Sequence, residues 1–85
     1  MAEQNIFLYR SNCSLCYQAL QQVLPLLAEA EVPVVLRKIT PEYSHVISGV
    51  PALILRRSAF RTEQDIIILG SHMKSALLTL INNIL

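Results

Sequence analysis

Four short runs of consecutive apolar residues predict the strands of a sheet. They cover residues 6–9, residues 34–36 with an extension towards Ile39, residues 52–55 and residues 66–69. The run at residues 6–9 is continuously apolar and rich in residues that favour strands, which is typical of a strand buried on both faces. The pattern therefore predicts a sheet of about four strands.

Between these runs the apolar residues change to helical spacing. A long helix is predicted to begin near Ser14, and Pro25 inside it is expected to introduce a kink because it removes one backbone hydrogen bond. A short second helix is predicted between Pro41 and Gly49, where proline occupies the first helical position. An amphipathic helix over residues 73–85 closes the chain.

The element order is therefore βαβαββα, an α/β arrangement in one domain over residues 1–85. Helical connections between the first three strands predict that these strands are parallel. The mainly polar segment 56–64 is short enough to join strands three and four as an antiparallel pair, which leaves the fourth strand at an edge.

Composition and charge exclude several classes of protein. The chain has 85 residues, of which 53% are hydrophobic and 15% are charged, so it differs from a disordered chain. A formal net charge of +1, with only Arg56, Arg57 and Arg61 close together, does not predict nucleic-acid binding. No apolar run reaches the roughly 20 residues of a membrane span, and residues 1–5 do not resemble a secretory signal. We therefore expect a cytoplasmic protein that binds neither membranes nor nucleic acid.

The two cysteines lie where the first strand gives way to the first helix. In a reducing compartment, Cys13 and Cys16 are predicted to be catalytic or metal-binding rather than a structural cross-link. The free N–H groups of a helix start favour a thiolate at Cys13, and Cys16, one turn later, can attack a mixed disulfide formed there. We expect Cys13 to be the more exposed thiol. Arg10 either adds positive potential beside Cys13 or is a solvated residue at the strand end.

A zinc site is the alternative interpretation of the cysteine pair. It would need His45 and His72 as its remaining ligands, and these are 27 residues apart in the sequence. Zinc-binding histidine pairs are usually separated by only about three to five residues. The sequence therefore predicts no metal site.

The segment from the first strand through Cys13-Ser14-Leu15-Cys16 resembles the thioredoxin superfamily, and within it the glutaredoxins and the glutaredoxin-like proteins with a Cys-x-Leu-Cys motif. Val50-Pro51 is similar to the cis-proline dipeptide of this superfamily, and the resemblance covers nearly the whole chain. It implies a thioredoxin-like βαβαββα fold with a four-stranded mixed sheet flanked by helices. It also implies thiol–disulfide oxidoreductase activity, with Cys13 as attacking nucleophile and Cys16 as resolving thiol.

The resemblance further implies which residues bind substrate. These are expected to be Arg10, Val50, Pro51, Gly70 and Ser71. The substrate is expected to be a protein or low-molecular-weight disulfide, and the electron donor glutathione or a reductase. No metal or organic cofactor is implied beyond the redox-active disulfide itself.

The sequence also departs from the family pattern. Ser14-Leu15 replaces the Pro-Tyr of glutaredoxins, and Gly49 stands where a threonine is common. The glycine pair and carboxylate that help glutaredoxins hold glutathione are reduced to Gly70-Ser71-His72, so we expect weak glutathione-dependent activity. Residues 70–73 also match the remnant of a cleaved affinity tag, but they join a predicted strand to a predicted helix and are interpreted as native.

The rival hypothesis is a non-catalytic thioredoxin-fold module. In that case the closing helix would bind a partner through its apolar surface, and the cysteines would have no catalytic role. The leucines and isoleucines of this helix are Leu77, Leu78, Leu80, Ile81, Ile84 and Leu85. Under either hypothesis the chain is expected to be a monomer or a weak homodimer. Turnover of a disulfide substrate distinguishes the two hypotheses.

Overall fold

The computed structural model describes residues 4–43, 47, 49–60, 63–70 and 72–84, and it is an α/β structure with one four-stranded mixed sheet. Helices and strands alternate along most of the chain, as the hydrophobic pattern predicts. In chain order the elements are β1 (Asn5–Tyr9), α1 (Ser14–Glu29), β2 (Val34–Lys38), a 3-10 turn (Pro41–Tyr43), β3 (Ala52–Leu55), α2 (Arg57–Phe60), β4 (Ile66–Leu69) and α3 (Met73–Ile84).

The element bounds agree closely with the sequence pattern. β3 and β4 have the predicted limits, while β1 begins one residue earlier, at Asn5. The helices α1 and α3 begin at Ser14 and Met73 as expected, and α1 continues through Pro25 to Glu29.

The direction of β3 differs from the prediction. The strand order is β2-β1-β3-β4; β2 runs parallel to β1, whereas β3 runs antiparallel to it. The prediction that the first three strands are parallel was therefore wrong. The register shows why: Tyr9 at the end of β1 pairs with Lys38 at the end of β2, and Leu8 pairs with Ala52 at the start of β3. The connection from β2 to β3 thus stays at one end of the sheet, and β3 must run back.

The two other connections also differ from the expected ones. In place of the helix expected between Pro41 and Gly49, the described residues show only the turn Pro41–Tyr43, which the Tyr43 N–H closes by donating to the Thr40 carbonyl at 3.1 Å. Residues 44–46 and 48, which include His45, lie outside the described residues. Between β3 and β4, the segment expected as a loop contains the one-turn helix α2.

Apolar residues pack on both faces of the sheet. On one face α1 and α3 cover the main core, which is built from Phe7, Ala19, Val23, Leu27, Val32, Leu53, Leu55, Ile68, Met73 and Leu77. The other face carries a smaller cluster covered by residues of the β2–β3 connection, and it comprises Ile6, Leu8, Ile47, Ala52 and Ile54, with Ile39, Tyr43 and Val50 packed against it.

A buried amide ties β1 to both neighbouring strands. The side chain of Asn5 donates from Nδ2 to the carbonyl of Pro33 at 2.9 Å, and its Oδ1 accepts the N–H of Arg56 at 2.8 Å. Pro33 immediately precedes β2 and Arg56 immediately follows β3. Because Asn5 is buried and bonded through both atoms of its amide, it holds β2, β1 and β3 together at one end of the sheet.

Asp65 stabilises the start of α2. Its Oδ1 accepts the N–H of Arg57 at 2.9 Å, and its Oδ2 pairs with the guanidinium of Arg56 at 3.1 Å. The backbone bond from Arg57 is the main reason that the pKa of Asp65 lies below its ordinary value, with Arg56 adding to the effect. Because the carboxylate is exposed, its attraction to Arg56 is screened by solvent.

Candidate active site

One end of the sheet collects the segments predicted to form the site. The chain leaves β1 at Tyr9 and enters β3 at Ala52, and these residues lie at the same end because Leu8 pairs with Ala52. Leu69, the last residue of β4, also pairs with Ala52. The cysteine-bearing turn after β1, the Val50-Pro51 dipeptide before β3 and Gly70 after β4 therefore all adjoin this end.

Cys13 is the N-cap residue of α1. Its backbone is extended, with φ −107° and ψ 100°, and its Sγ accepts the backbone N–H of Cys16 at 3.1 Å. Its carbonyl accepts the N–H of Tyr17 at 3.2 Å. A sulfur in this position satisfies one of the N–H groups that a helix start leaves unpaired. The sulfur of Cys13 therefore lies where the helix field favours negative charge.

Asn12 sets the turn that delivers Cys13 to the helix start. It has a φ of 59°, in the left-handed region that asparagine tolerates better than most residues. Asn12 is not among the site residues predicted from the sequence, although asparagine is a residue that favours turns because it tolerates this conformation.

Cys13 and Cys16 form a disulfide, with their Cα atoms 5.2 Å apart. Cys16 is fully buried in the helix face that packs on the sheet, whereas Cys13 is only half-buried. The expected order of exposure is therefore confirmed. A redox pair in which one sulfur is accessible and the other shielded can react with an outside partner through only one of its two sulfurs.

Pro51 and Gly70 are joined directly. The Val50–Pro51 peptide bond is cis, as predicted, and the Pro51 carbonyl accepts the N–H of Gly70 at 3.0 Å. Gly70 has a φ of +80°, which favours glycine, and a Cβ placed on it would meet no atom within 4 Å. Pro51 is buried and Val50 is half-buried against the smaller apolar cluster. Among the described residues, no hydrogen bond occupies the Val50 backbone.

The structure brings the predicted site residues together in two pairs. Cys13 contacts Cys16, and Pro51 contacts Gly70, while Arg10 shares their end of the sheet as an exposed residue. Ser71 lies outside the described residues.

Two apolar side chains beside the disulfide were not predicted as site residues. Leu15, between the cysteines, and Tyr17, directly after them, are both exposed on the first turn of α1. Leu15 lies four residues before Ala19, and this helical spacing predicts that the two residues share the buried face of the helix. That prediction is wrong for Leu15: the buried positions of α1 are Cys16, Ala19, Val23 and Leu27, and Leu15 points outward.

The described residues contain no group of three or more His, Cys, Asp or Glu side chains arranged to hold a metal ion. His72, one of the two histidines considered for zinc, is exposed, and His45 lies outside that part of the chain. Across the same residues, none of the helices has the length and apolar character required to cross a lipid bilayer.

Comparison with known proteins gave no match, whether to protein-family models, to curated proteins or to solved structures.

Proposed function

We propose that this protein is a thiol–disulfide oxidoreductase of the glutaredoxin-like type, with the Cys13–Cys16 pair as its redox centre. One observation carries the proposal: a half-buried cysteine caps the start of a helix and is bonded to a fully buried cysteine one turn later. The accessible sulfur can meet an external disulfide, and the shielded sulfur can reach only its neighbour. A cytoplasmic location remains a prediction from the sequence.

In the reduced protein the Cys13 thiolate attacks one sulfur of a substrate disulfide. The substrate S–S bond breaks, a Cys13–substrate disulfide forms, and the departing thiolate takes up a proton. Cys16 then loses its proton and attacks the Cys13 sulfur, which restores the Cys13–Cys16 bond and releases the second substrate thiol. Two electrons have passed from the protein to the substrate; of the two protons that the substrate thiols take up, Cys16 releases one and solvent supplies the other. An external thiol donor returns the pair to its reduced form.

The backbone of Val50 supports the binding of an extended substrate. Its N–H and C=O have no partner among the described residues, and it lies at the same end of the sheet as the cysteines. An extended peptide can pair with such free backbone groups as an added strand, which would align its disulfide along the site. Arg10, exposed at this end, adds positive charge that favours an anionic sulfur or a carboxylate.

A protein donor or protein substrate suits this site better than glutathione. The chain continues after Gly70 with Ser71-His72-Met73-Lys74, so no carboxylate is available there to meet the glutathione amine. Loss of one charge-assisted hydrogen bond costs roughly 1.5–3 kcal/mol, or about 10- to 150-fold in affinity. The exposed Leu15 and Tyr17 beside the disulfide offer apolar contacts of the kind that a protein surface provides.

Turnover tests this proposal. The protein is supplied with a peptide disulfide and with either a small dithiol or glutathione plus glutathione reductase as the donor. We expect turnover with the dithiol, weak turnover with glutathione, and none with Cys13→Ser. Absence of dithiol turnover by the wild-type protein would contradict the proposal, whereas efficient turnover with glutathione would overturn only the donor preference.

The rival function, a binding module that uses α3, has less support in the described residues. Leu77 is buried, and Leu80 and Ile81 pack against the main core, so most of the apolar surface of α3 is already used. A groove of about 220 Å³ lies between α3 and the end of α1 and is lined in part by Leu26 and Leu78. A folded protein without turnover would favour the rival.

A further inference from the structure

β4 is a short edge strand whose own residues include neither a charge nor a proline to hinder pairing with another chain. It is last in the strand order and consists of three isoleucines and one leucine. The opposite edge strand, β2, follows Pro33 and carries Arg37 and Lys38. Charged residues and proline are among the devices by which proteins keep edge strands from pairing with another chain. Among the described residues, the β2 edge of the sheet is therefore guarded by such residues and the β4 edge is open.

The hydrogen-bond pattern shows which backbone groups face the open edge. Pro51 and Gly70 lie directly opposite each other and are joined by a hydrogen bond. Because bonded and non-bonded pairs alternate in an antiparallel ladder, Ile68 is also bonded to β3, whereas Ile67 and Leu69 direct their N–H and C=O groups away from it. The side chains of Ile67 and Leu69 are each 42% exposed. Free backbone groups and exposed apolar side chains thus belong to the same two residues.

We propose that β4 pairs with β4 of a second copy of this chain, antiparallel about a two-fold axis at Ile68. Ile67 then lies opposite Leu69 of the partner subunit, and Leu69 lies opposite Ile67 of the partner subunit. Both are bonded pairs, so the four outward-facing groups of each strand are all satisfied. The two sheets become one continuous sheet of eight strands.

The register follows from the faces of the sheet. Residues that lie opposite each other must point their side chains to the same face, so within β4 Ile67 can lie opposite either Ile67 or Leu69 of the partner subunit. Centring on Ile67 would place Asp65 in the pairing, and its carboxylate is already bonded to Arg56 and Arg57. Centring on Ile68 uses only residues of β4 itself.

A second copy of this chain is the partner best suited to pair with β4. An uncharged strand with two equivalent exposed apolar residues is self-complementary, and a two-fold axis matches each to the other. The chain's formal net charge of +1 gives little repulsion between copies. Because the strand has only four residues, the interface is small, and the dimer should form weakly and with increasing concentration. The pairing does not depend on the proposed redox function.

Sedimentation of the oxidised protein over the micromolar to millimolar range tests the pairing, with circular dichroism as the check of folding. Ile67→Lys with Leu69→Lys places like charges opposite each other in both pairs, whereas Ile67→Lys with Leu69→Glu places opposite charges there. Leu36→Lys, on the guarded edge, is the matched control because Leu36 is 46% exposed.

We expect wild type and Leu36→Lys to approach the dimer mass at high concentration. The dimer dissociation constant of the double-lysine variant should be higher than that of wild type by roughly tenfold or more. The lysine–glutamate variant should dimerise about as well as wild type. A wild type that stays monomeric throughout overturns the proposal. If the two double variants dissociate equally, the proposed register is wrong. If Leu36→Lys weakens the dimer as much as the double-lysine variant does, the choice of edge is wrong.

Discussion

The backbone N–H of Cys16 points at the sulfur of Cys13, with 3.1 Å between the nitrogen and Sγ. The bond gives the accessible sulfur a donor fixed by the helix itself, independent of any side chain. Such a donor stabilises the sulfur most when it is negatively charged. Loss of the intramolecular disulfide on reduction therefore leaves a site already arranged for a Cys13 thiolate.

Alkylation of the reduced protein should modify Cys13 first. Cys13 is half-buried at the helix start, while Cys16 is fully buried one turn later. Peptide mapping by mass spectrometry after a short exposure to an alkylating reagent near neutral pH measures the order. Faster labelling of Cys16 would reverse the roles assigned to the two sulfurs.

Gly70→Ala should destabilise the fold by about 1–2 kcal/mol, because Gly70 has a φ of +80° that a residue with a Cβ adopts only at a cost of this size. Nothing lies within 4 Å of a Cβ at that position, so the cost is one of backbone conformation alone. Denaturant unfolding gives the difference. Gly49→Ala is the matched control, since Gly49 is equally open and lacks a positive φ; it should be neutral or slightly stabilising. Equal losses of stability in Gly70→Ala and Gly49→Ala would contradict the attribution of the cost to the positive φ of Gly70.

Asn5→Ala should lower the free energy of unfolding by about 1–3 kcal/mol. The substitution removes two part-buried hydrogen bonds, from the Asn5 amide to the Pro33 carbonyl and from the Arg56 N–H to the Asn5 side chain. Chemical denaturation measures the loss. Gln4→Ala, at the exposed neighbouring position, serves as the control and should have a smaller effect. A neutral Asn5→Ala would show that water replaces the amide at no cost.

Asp65→Asn should destabilise the protein at neutral pH and have little effect in acid. The pKa of Asp65 is lowered in the folded protein, chiefly by the Arg57 N–H, from an ordinary value of 3.8. The ionised carboxylate therefore adds stability above that ordinary value, and the contribution disappears as the pH falls through the lowered pKa. Unfolding midpoints of both proteins across the acid range provide the test. A difference that persists in strong acid would point to a loss unrelated to charge.

Most of the fold can be predicted from the sequence because the apolar runs are short and sharply bounded. The limits of β3 and β4 and the starts of α1 and α3 all follow from local patterns. The direction of β3 does not, because it depends on which end of the sheet the β2–β3 connection occupies. That is a property of packing, and a run of apolar residues carries no direction.

The features of the site that depend on residues close together in the sequence could be predicted. Cys13 and Cys16 share one helix turn, and their exposure follows from that position. The bond from Gly70 to Pro51 joins residues distant in the sequence, and the outward orientation of Leu15 depends on which side of α1 the sheet lies. These features required the three-dimensional arrangement.

The most direct test of the redox proposal is to trap the first step of exchange. In Cys16→Ser the resolving sulfur is absent, so a peptide disulfide should leave one peptide half covalently attached to Cys13, released by a reducing agent and visible in the intact mass. The matched variant Cys13→Ser, with only the buried Cys16, should form much less adduct. Failure of Cys16→Ser to form the adduct, or greater adduct formation by Cys13→Ser, would contradict the account.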